Sequence, residues 1–352
     1  MVRLLTNEHV QNVVDMPSIL DSLDELYRDI GEGVAMTRPR TDVHAPTPDT
    51  DGEYYRFKTM GGINPAKGVY ALRINSDVLR WVERGDHTVQ EKLPRAEGDR
   101  YVGLVLLFDV EDGTPLAIMP DGYVQKLRVG ATSAIGAKYL AREDATTVGL
   151  LGAGWQAEGQ IAALNEVLDV EHLSVYTPSD SRVEFADRVE AEYGIDADPV
   201  DSAKAVFDAD IVHSATNSRS PVFDVDWLDD GTHLGVINRT EIPPETLEAC
   251  DVTVVHSKTG KAEDYRTGEV DPDDIPYLDA EGFDYSQYPD LAELVVGDAP
   301  GRTSDDQTTF FFNNIGMGAQ FSAVCAVVYE RALAGGHGQE LDTDLFTQAL
   351  VP

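Results

Sequence analysis

The sequence predicts an α/β protein, in which a doubly wound, parallel dinucleotide-binding half is joined to an α+β half. Three observations predict it. The apolar run Val148-Gly149-Leu150-Leu151 ends in Gly152-Ala153-Gly154 and passes at once into a helix-compatible stretch, the order strand, tight turn, helix. From residue 146 onward strand-like and helix-like segments alternate, at 146–151, 154–168, 173–176, 181–192, 210–214, 233–237 and 252–255. Alternation of that kind builds a parallel sheet. Residues 1–125 instead show paired strand patterns around one early helix.

In chain order, Asp15-Met16-Pro17 supplies an N-cap and a first-turn proline for a helix with Ile19, Leu20, Leu23 and Leu26 on its apolar stripe, ended by Gly31 and Gly33. Thr37-Arg38-Pro39-Arg40-Thr41 comes next, then a polar, proline-bearing loop is expected through Gly52, and it contains His44, which reads as a surface residue. Tyr54–Met60 and Gly68–Ile74 read as strands, whereas the charged segment 75–100 has no clear pattern. Gly103–Val110 and Pro115–Met119 form a hairpin turning at Glu111-Asp112-Gly113, and a helix follows from Gly122 to Leu140. The acidic, aromatic stretch 262–290 reads as surface loops with a short helix. Phe310–Gly338 reads as a strand or turn and then a long helix with small residues. The expected division is 1–125 with 312–352 as a substrate-binding and dimerisation domain, and 126–311 as the Rossmann domain.

Composition excludes several function classes. The 63 acidic residues outnumber the 27 basic ones, giving a formal charge of −36, and only eight of the basic residues are lysine. Nucleic acid is not an expected partner, because phosphate binding needs basic surface. Such an acidic surface fits high salt, where screening removes self-repulsion, so a halophilic source is expected. No apolar run reaches the roughly 20 residues of a membrane span. The N-terminus lacks the pattern of a signal peptide, so a cytoplasmic location is expected. Cys250 and Cys325 are too few for a disulfide scaffold or a cysteine-based zinc site, and both read as core residues. The histidines form no ligand spacing and no metal is expected.

Two groups of residues carry chemistry. At the glycine turn, Gly152 permits the bend and Gly154 lets backbone approach a pyrophosphate, whose charge the helix N-terminus then holds. The next strand runs into Thr177-Pro178-Ser179-Asp180-Ser181-Arg182, with no carboxylate where one normally takes the adenosine ribose. Loss of that carboxylate, with Ser179 and Arg182 close behind, favours NADP over NAD. Equally, Ser179 or Asp180 could cap the following helix and Arg182 could be solvated. The second group is Arg40, Lys58 and Arg128, basic residues in otherwise apolar contexts. Together they could hold a small carboxylate, with Lys58 as acid or base; separately, each could pair with an acidic neighbour.

Taken together, these stretches resemble the ornithine cyclodeaminase/mu-crystallin family, which includes alanine dehydrogenases and ketimine reductases. The resemblance rests on Pro39-Arg40-Thr41, Phe57-Lys58, Asp109 through Ala117, Leu127-Arg128-Val129-Gly130-Ala131-Thr132-Ser133, Gly152 through Ala157, Gly231-Thr232-His233-Leu234, Pro300-Gly301-Arg302 and Phe312 to Gly316. It implies a homodimer and a small amino or imino acid substrate whose carboxylate is held at Arg40, Lys58 and Arg128. It further implies a cofactor lined by Gln156, Ala157, Thr177, Thr216, Ile237, Asn238 and Ile315. Two departures bear on the reaction. Cyclodeaminases carry a catalytic aspartate in a glycine-rich loop, but here that loop is the shorter Leu234–Glu241 with no aspartate, and Asn314 replaces a serine. The expected activity is therefore NAD(P)-dependent interconversion of an amino acid and its imino or keto acid. An ammonia-releasing cyclodeaminase and an NADPH-binding mu-crystallin-like protein are the alternatives.

Overall fold

The computed structural model describes residues 1–47, 52–84, 87–259, 262–267 and 284–349. The first part holds β1 (Val2–Leu4), α1 (Asn7–Val13), α2 (Met16–Gly31), β2 (Met36–Thr37), β3 (Thr41–Pro46), β4 (Glu53–Asn64), β5 (Val69–Arg84), β6 (His87–Leu93), β7 (Val102–Asp109) and β8 (Pro115–Pro120). Helix α3 (Gly122–Leu140) leads into β9 (Thr147–Leu151), α4 (Trp155–Val167), β10 (His172–Tyr176), α5 (Ser181–Tyr193), β11 (Asp196–Pro199), β12 (Ile211–Ser214) and β13 (His233–Val236). The remainder is α6 (Thr246–Ala249), β14 (Val252–Val255), β15 (Glu263–Arg266), α7 (Leu291–Val296), β16 (Thr309–Phe312), α8 (Gly318–Gly335) and β17 (Gln339–Leu341). Among the described residues no helix is long and apolar enough to cross a membrane.

Local chemistry explains the early helices. Asp15 caps α2 by accepting from Ser18 N at 2.9 Å, and Pro17 sits in the first turn where its missing N–H costs nothing. Ile19, Leu23, Leu26 and Tyr27 are then buried on one stripe.

Two sheets organise the chain. The first runs in the order β15-β3-β4-β5-β7-β8-β1-β17, with β2 on β4 and β6 on β5. Helix α8 lies across β4 and β5, and β17 pairs antiparallel with β1, so the C-terminal residues return to this sheet. The structure corrects four expectations here. Thr41–Pro46 is a strand and not part of a loop, and His44 within it is fully buried. The segment without pattern continues β5 to Arg84 and forms β6. Glu263–Arg266, expected in surface loops within the Rossmann stretch, pairs parallel with β3. Residues 268–283 of that stretch lie outside the described residues.

The second sheet is parallel throughout, in the order β11-β10-β9-β12-β13-β16-β14. The order reverses between β9 and β12, and the crevice outside the strand ends at such a switch point is where open α/β sheets bind ligands. Phe310, Phe311 and Phe312 of β16 are completely buried. Phe311 packs under Gly136 of α3, where an added Cβ would come within 2.5 Å of its ring. Helices α3 and α4 cross at Gly130 and Gly159, close enough that a Cβ on Gly130 would lie 2.0 Å from Gly159 O.

Candidate active site

The first half of the site is the turn after β9. Gly152 has φ +106°, and a Cβ there would sit 2.5 Å from Ala215 O, so both backbone shape and space demand glycine. Gly154 is the N-cap of α4, with no side-chain cap and open space in front of it. The free N–H groups of the first turn therefore point at a space a pyrophosphate fits. Ala157 is buried, and Gln156 Oε1 is buried without a partner. Gly152→Val is expected to abolish dinucleotide binding, measured as loss of NADH fluorescence enhancement, while circular dichroism still reports a folded chain.

At the end of β10, Thr177 is half-buried and Ser179 exposed. Arg182 is not simply solvated: Nη1 donates to Thr177 O (3.3 Å) and Ser179 O (3.0 Å), and Nη2 to Asp201 (3.2 Å). The N-cap residue Asp180 makes no side-chain cap bond, and Ser179 Oγ pairs with Ser181 Oγ at 2.7 Å, so neither caps α5 as the simpler reading expected.

The loop after β13 closes the crevice differently from expectation. Asn238 opens a single 3-10 turn, its Oδ1 accepting from Thr240 N at 3.4 Å, and its Nδ2 reaches Ser218 O at 3.4 Å. That tight turn swings Glu241 inward. Its carboxyl is fully buried, Oε1 accepts from Thr216 N, and Oε2 has no partner. Burial, opposed by the bonds from Thr216, pushes its pKa up to about 8. A carboxyl raised from an ordinary 4.5 to about 8 favours the fold when neutral. That stability is complete at pH below the ordinary value and is lost as pH climbs through about 5 to 8. Glu241→Gln is therefore expected to flatten the fall in Tm across that range, and an equal fall in variant and wild type would refute it. Ile237 N donates to Ser214 O, and Asn314 spends its amide on the backbone of Ser257, donating at 2.9 Å and accepting at 3.1 Å.

The second half of the site is a charged lattice on the inner face of the first sheet. Register aligns Asp42, Lys58 and Asn75 in one row across β3, β4 and β5, and His44, Arg56 and Asp77 in the next. Arg40 forks onto Asp42. Lys58 Nζ lies 3.7 Å from Asp77, which Arg56 also approaches at 3.4 Å and Lys92 at 2.6 Å. Arg73 pairs with Asp121 at 2.7 Å and lies over the Phe321 ring. Arg128 on α3 is buried, with Nη1 donating to Gln320 at 3.1 Å, Nε without a partner, and no carboxylate paired with it among the described residues. Burial and the neighbouring Arg73 and Arg40 lower its pKa to about 9. Burial, Arg56, Arg40 and Arg73 likewise hold the Lys58 ammonium well below the usual lysine range, against the pull of Asp77.

Six buried or half-buried cations (Arg40, Arg56, Lys58, Arg73, Lys92, Arg128) thus face three aspartates (Asp42, Asp77, Asp121). Arg128 is the one of them with no carboxylate partner among the described residues. An unpaired buried cation is costly, and a bound carboxylate repays that cost. Sequence reasoning found Arg40, Lys58 and Arg128, and missed Arg56, Arg73, Asp77, Asp121 and Glu241. Asp42, His44 and Asp264 also come within 4.8 Å of one another, a set of metal-ligating types that histidine spacing did not show. The Arg40 guanidinium already occupies Asp42 there. Cys325 is core as expected, whereas Cys250 is only half-buried.

The two halves meet. A cleft of about 530 Å³ is lined by Asn75, Gly103, Asp121 and Gln125 on one side and by Trp155 and Gln156 on the other. Arg219, in the loop after β12, lies 4.1 Å over the Trp81 ring of β5. Fold and site together define a dinucleotide-binding α/β protein whose cofactor turn shares a cleft with Asn75, Lys92 and Asp121 at the margin of the charged lattice. The family profile for ornithine cyclodeaminase/mu-crystallin matches residues 3–336, and the chain belongs to that family.

The chain is 27% identical to an alanine dehydrogenase of Archaeoglobus fulgidus over 343 residues, covering 96% of this chain and 97% of that one. It is 30% identical to a Δ1-pyrroline-2-carboxylate reductase of Bacillus cereus over 247 residues, 68% of this chain and 74% of the relative. Among solved structures, the Thermococcus litoralis Δ1-pyrroline-2-carboxylate reductase in complex with NADH and L-proline superposes with a TM-score of 0.78 at 25% identity, covering 97% of this chain and all of that one. An archaeal alanine dehydrogenase dimer with bound NAD superposes at 0.76 and 26% identity, over 97% and 99% of the two chains.

Proposed function

We propose that this protein is an NAD(P)-dependent oxidoreductase that interconverts a small amino acid and its imino or keto acid. The observation that carries it is the buried Arg128 guanidinium, unmatched by any carboxylate among the described residues, beside a lysine of lowered pKa and a dinucleotide turn. The crevice fits the cofactor: the uncapped start of α4, the open space at Gly154 and the orphaned Gln156 Oε1 all await a partner. A bound nicotinamide would supply or take up the hydride. Arg128 takes the substrate carboxylate, its charge restored by that pairing. Arg40, whose fork already holds Asp42, adds its field and its remaining N–H groups. Lys58 gives a proton to the nitrogen or oxygen of the reacting carbon in one direction and removes it in the other.

NADP is the favoured dinucleotide: no carboxylate ends β10, and Arg182 can exchange exposed Asp201 for a 2′-phosphate. The test is NADH and NADPH oxidation with Δ1-pyrroline-2-carboxylate and with pyruvate plus ammonium; no rate with either substrate and either cofactor would sink the reading.

The protein works as a homodimer through the outer face of the first sheet. Phe57, Leu72, Ile74, Leu104, Leu106 and Ile118 share that face by register, and none carries charge. Leu104 and its neighbour Val102 are 38% and 42% exposed in the single chain. A second copy packed sheet on sheet would cover them. Ile74→Lys is expected to give a monomer by light scattering in high salt, and a persistent dimer would argue against this face.

A further inference from the structure

Behind Arg128 lies a buried polar chain. Gln320 Oε1 accepts from Arg128 Nη1 at 3.1 Å and from Met317 N at 2.9 Å. Its Nε2 donates to Tyr27 Oη at 3.0 Å and to Thr132 Oγ1 at 2.6 Å. Tyr27 Oη also lies 2.9 Å from His256 Nε2, and His256 Nδ1 lies 2.5 Å from Ile315 O. Tyr27, Thr132 and Gln320 are completely buried and His256 is 2% exposed. The members come from α2, α3, α8 and the residue after β14, so four separate pieces of chain are tied at one point.

Chemistry fixes the direction of every proton. A carbonyl only accepts, so His256 Nδ1 carries hydrogen. Burial lowers the pKa of this imidazole to about 3, with the bond to Ile315 opposing. The ring is therefore neutral and Nε2 is a lone pair. Only the Tyr27 hydroxyl can fill it, which spends the single proton of Tyr27. The Gln320 amide must then turn its oxygen to Arg128 and its nitrogen to Tyr27 and Thr132. Thr132 in turn donates to Arg128 O at 2.8 Å. This arrangement gives a proton to every contact but one: Tyr27 Oη and Thr132 Oγ1, 2.8 Å apart, have both donated elsewhere and meet as the two acceptors of the Gln320 amide, and a buried network with one such arrangement is rigid. Packing alone does not require it, since apolar groups of the same volume would fill the space without desolvating five polar side chains.

We propose that Tyr27, Gln320 and His256 are positioning residues for hydride transfer. They form a one-way hydrogen-bond chain from the guanidinium that takes the substrate carboxylate to the Ile315 backbone expected at the cofactor. The proposal rests on the functional reading above. The chain holds the Arg128 fork at one angle and the 313–317 loop at one height, so the reacting carbon and the nicotinamide are brought to a single separation.

The test uses the full-length protein in high salt, with NADH and Δ1-pyrroline-2-carboxylate. Tyr27→Phe is expected to leave NADH affinity unchanged. It should raise KM for the imino acid about tenfold, the consequence of leaving Gln320 and His256 underbonded. It should also enlarge the primary isotope effect with NADH deuterated at the transferred position. A folded Tyr27→Phe with wild-type KM and isotope effect overturns the proposal. Should that variant not fold, His256→Asn keeps a donor for Ile315 O while removing the acceptor for Tyr27, and the same split between KM and cofactor affinity is required of it. A wild-type protein inactive on its substrates defeats the functional reading alone. The chain is then judged by L-proline affinity, where equal values for wild type and Tyr27→Phe overturn it.

Discussion

Lys58→Met is expected to lower kcat about a thousandfold, in the middle of the range for loss of a positioned acid or base, while NADH binding is retained. Lys58 is 14% exposed and stands among Arg40, Arg56 and Arg73, with Asp77 in opposition at 3.7 Å and Asp42 beside it across the sheet. That setting lowers the cost of losing its proton, so the amine exchanges protons at a pH nearer neutrality than a surface lysine does. The sign of the pH dependence follows. In the reductive direction the ammonium must donate, so kcat/KM falls as pH rises through its pKa. In the oxidative direction the free amine must accept, so the rate falls as pH drops. Both limbs should vanish in Lys58→Met. Lys58→Arg should not restore them, because guanidinium holds its proton too firmly. A methionine variant within tenfold of wild type, or one keeping the same limbs, would remove Lys58 from the chemistry.

Salt should govern stability almost as strongly. A charge of −36 on 352 residues makes the folded chain repel itself. At about 1 M salt the screening length is ~3 Å, shorter than the spacing between most surface carboxylates, whereas at about 0.1 M it is ~10 Å and many of them interact. Transfer from the first condition to the second is expected to lower Tm by more than about 10 °C. It should also separate the two copies of the dimer, each bringing the same net charge. Light scattering and calorimetry in potassium chloride read both effects, and sucrose, which stabilises by exclusion but does not screen charge, should not hold the dimer together. A Tm unaffected by salt would end the halophilic reading.

The cofactor half was legible because its signals are local. Gly152, Gly154 and the helix after them follow within a few residues, and the β/α alternation from 146 onward needs no knowledge of pairing. The substrate half was not, because its inner sheet face inverts the usual pattern. Along β3, Asp42 and His44 turn inward and Val43 outward; along β5, Arg73, Asn75 and Asp77 turn inward and Leu72 and Ile74 outward. A rule that sends apolar side chains to the core therefore reads β3 as loop and leaves the charged continuation of β5 beyond Ile74 without a pattern. The same inversion makes the outer face apolar, which suits a dimer. Arg128 was singled out by its context, yet its partner Gln320 lies 192 residues away and no sequence spacing announces it. Glu241 stayed hidden because its burial depends on one tight turn after Asn238.

Helix α3 is unbroken from Gly122 to Leu140, a rod of about 28 Å at ~1.5 Å per residue. Its side chains serve both halves by turns: Arg128 and Thr132 face the anion site, while Gly130 and Gly136 seat the rod against α4 and β16. The distance between anion holder and dinucleotide crevice is thereby machined into one part. A longer or shorter substrate cannot be accommodated by drawing the halves apart, since the rod would have to stretch. Redesign for a new amino acid must therefore recut the strand side chains of β4 and β5 that form the opposite wall, and leave the rod alone.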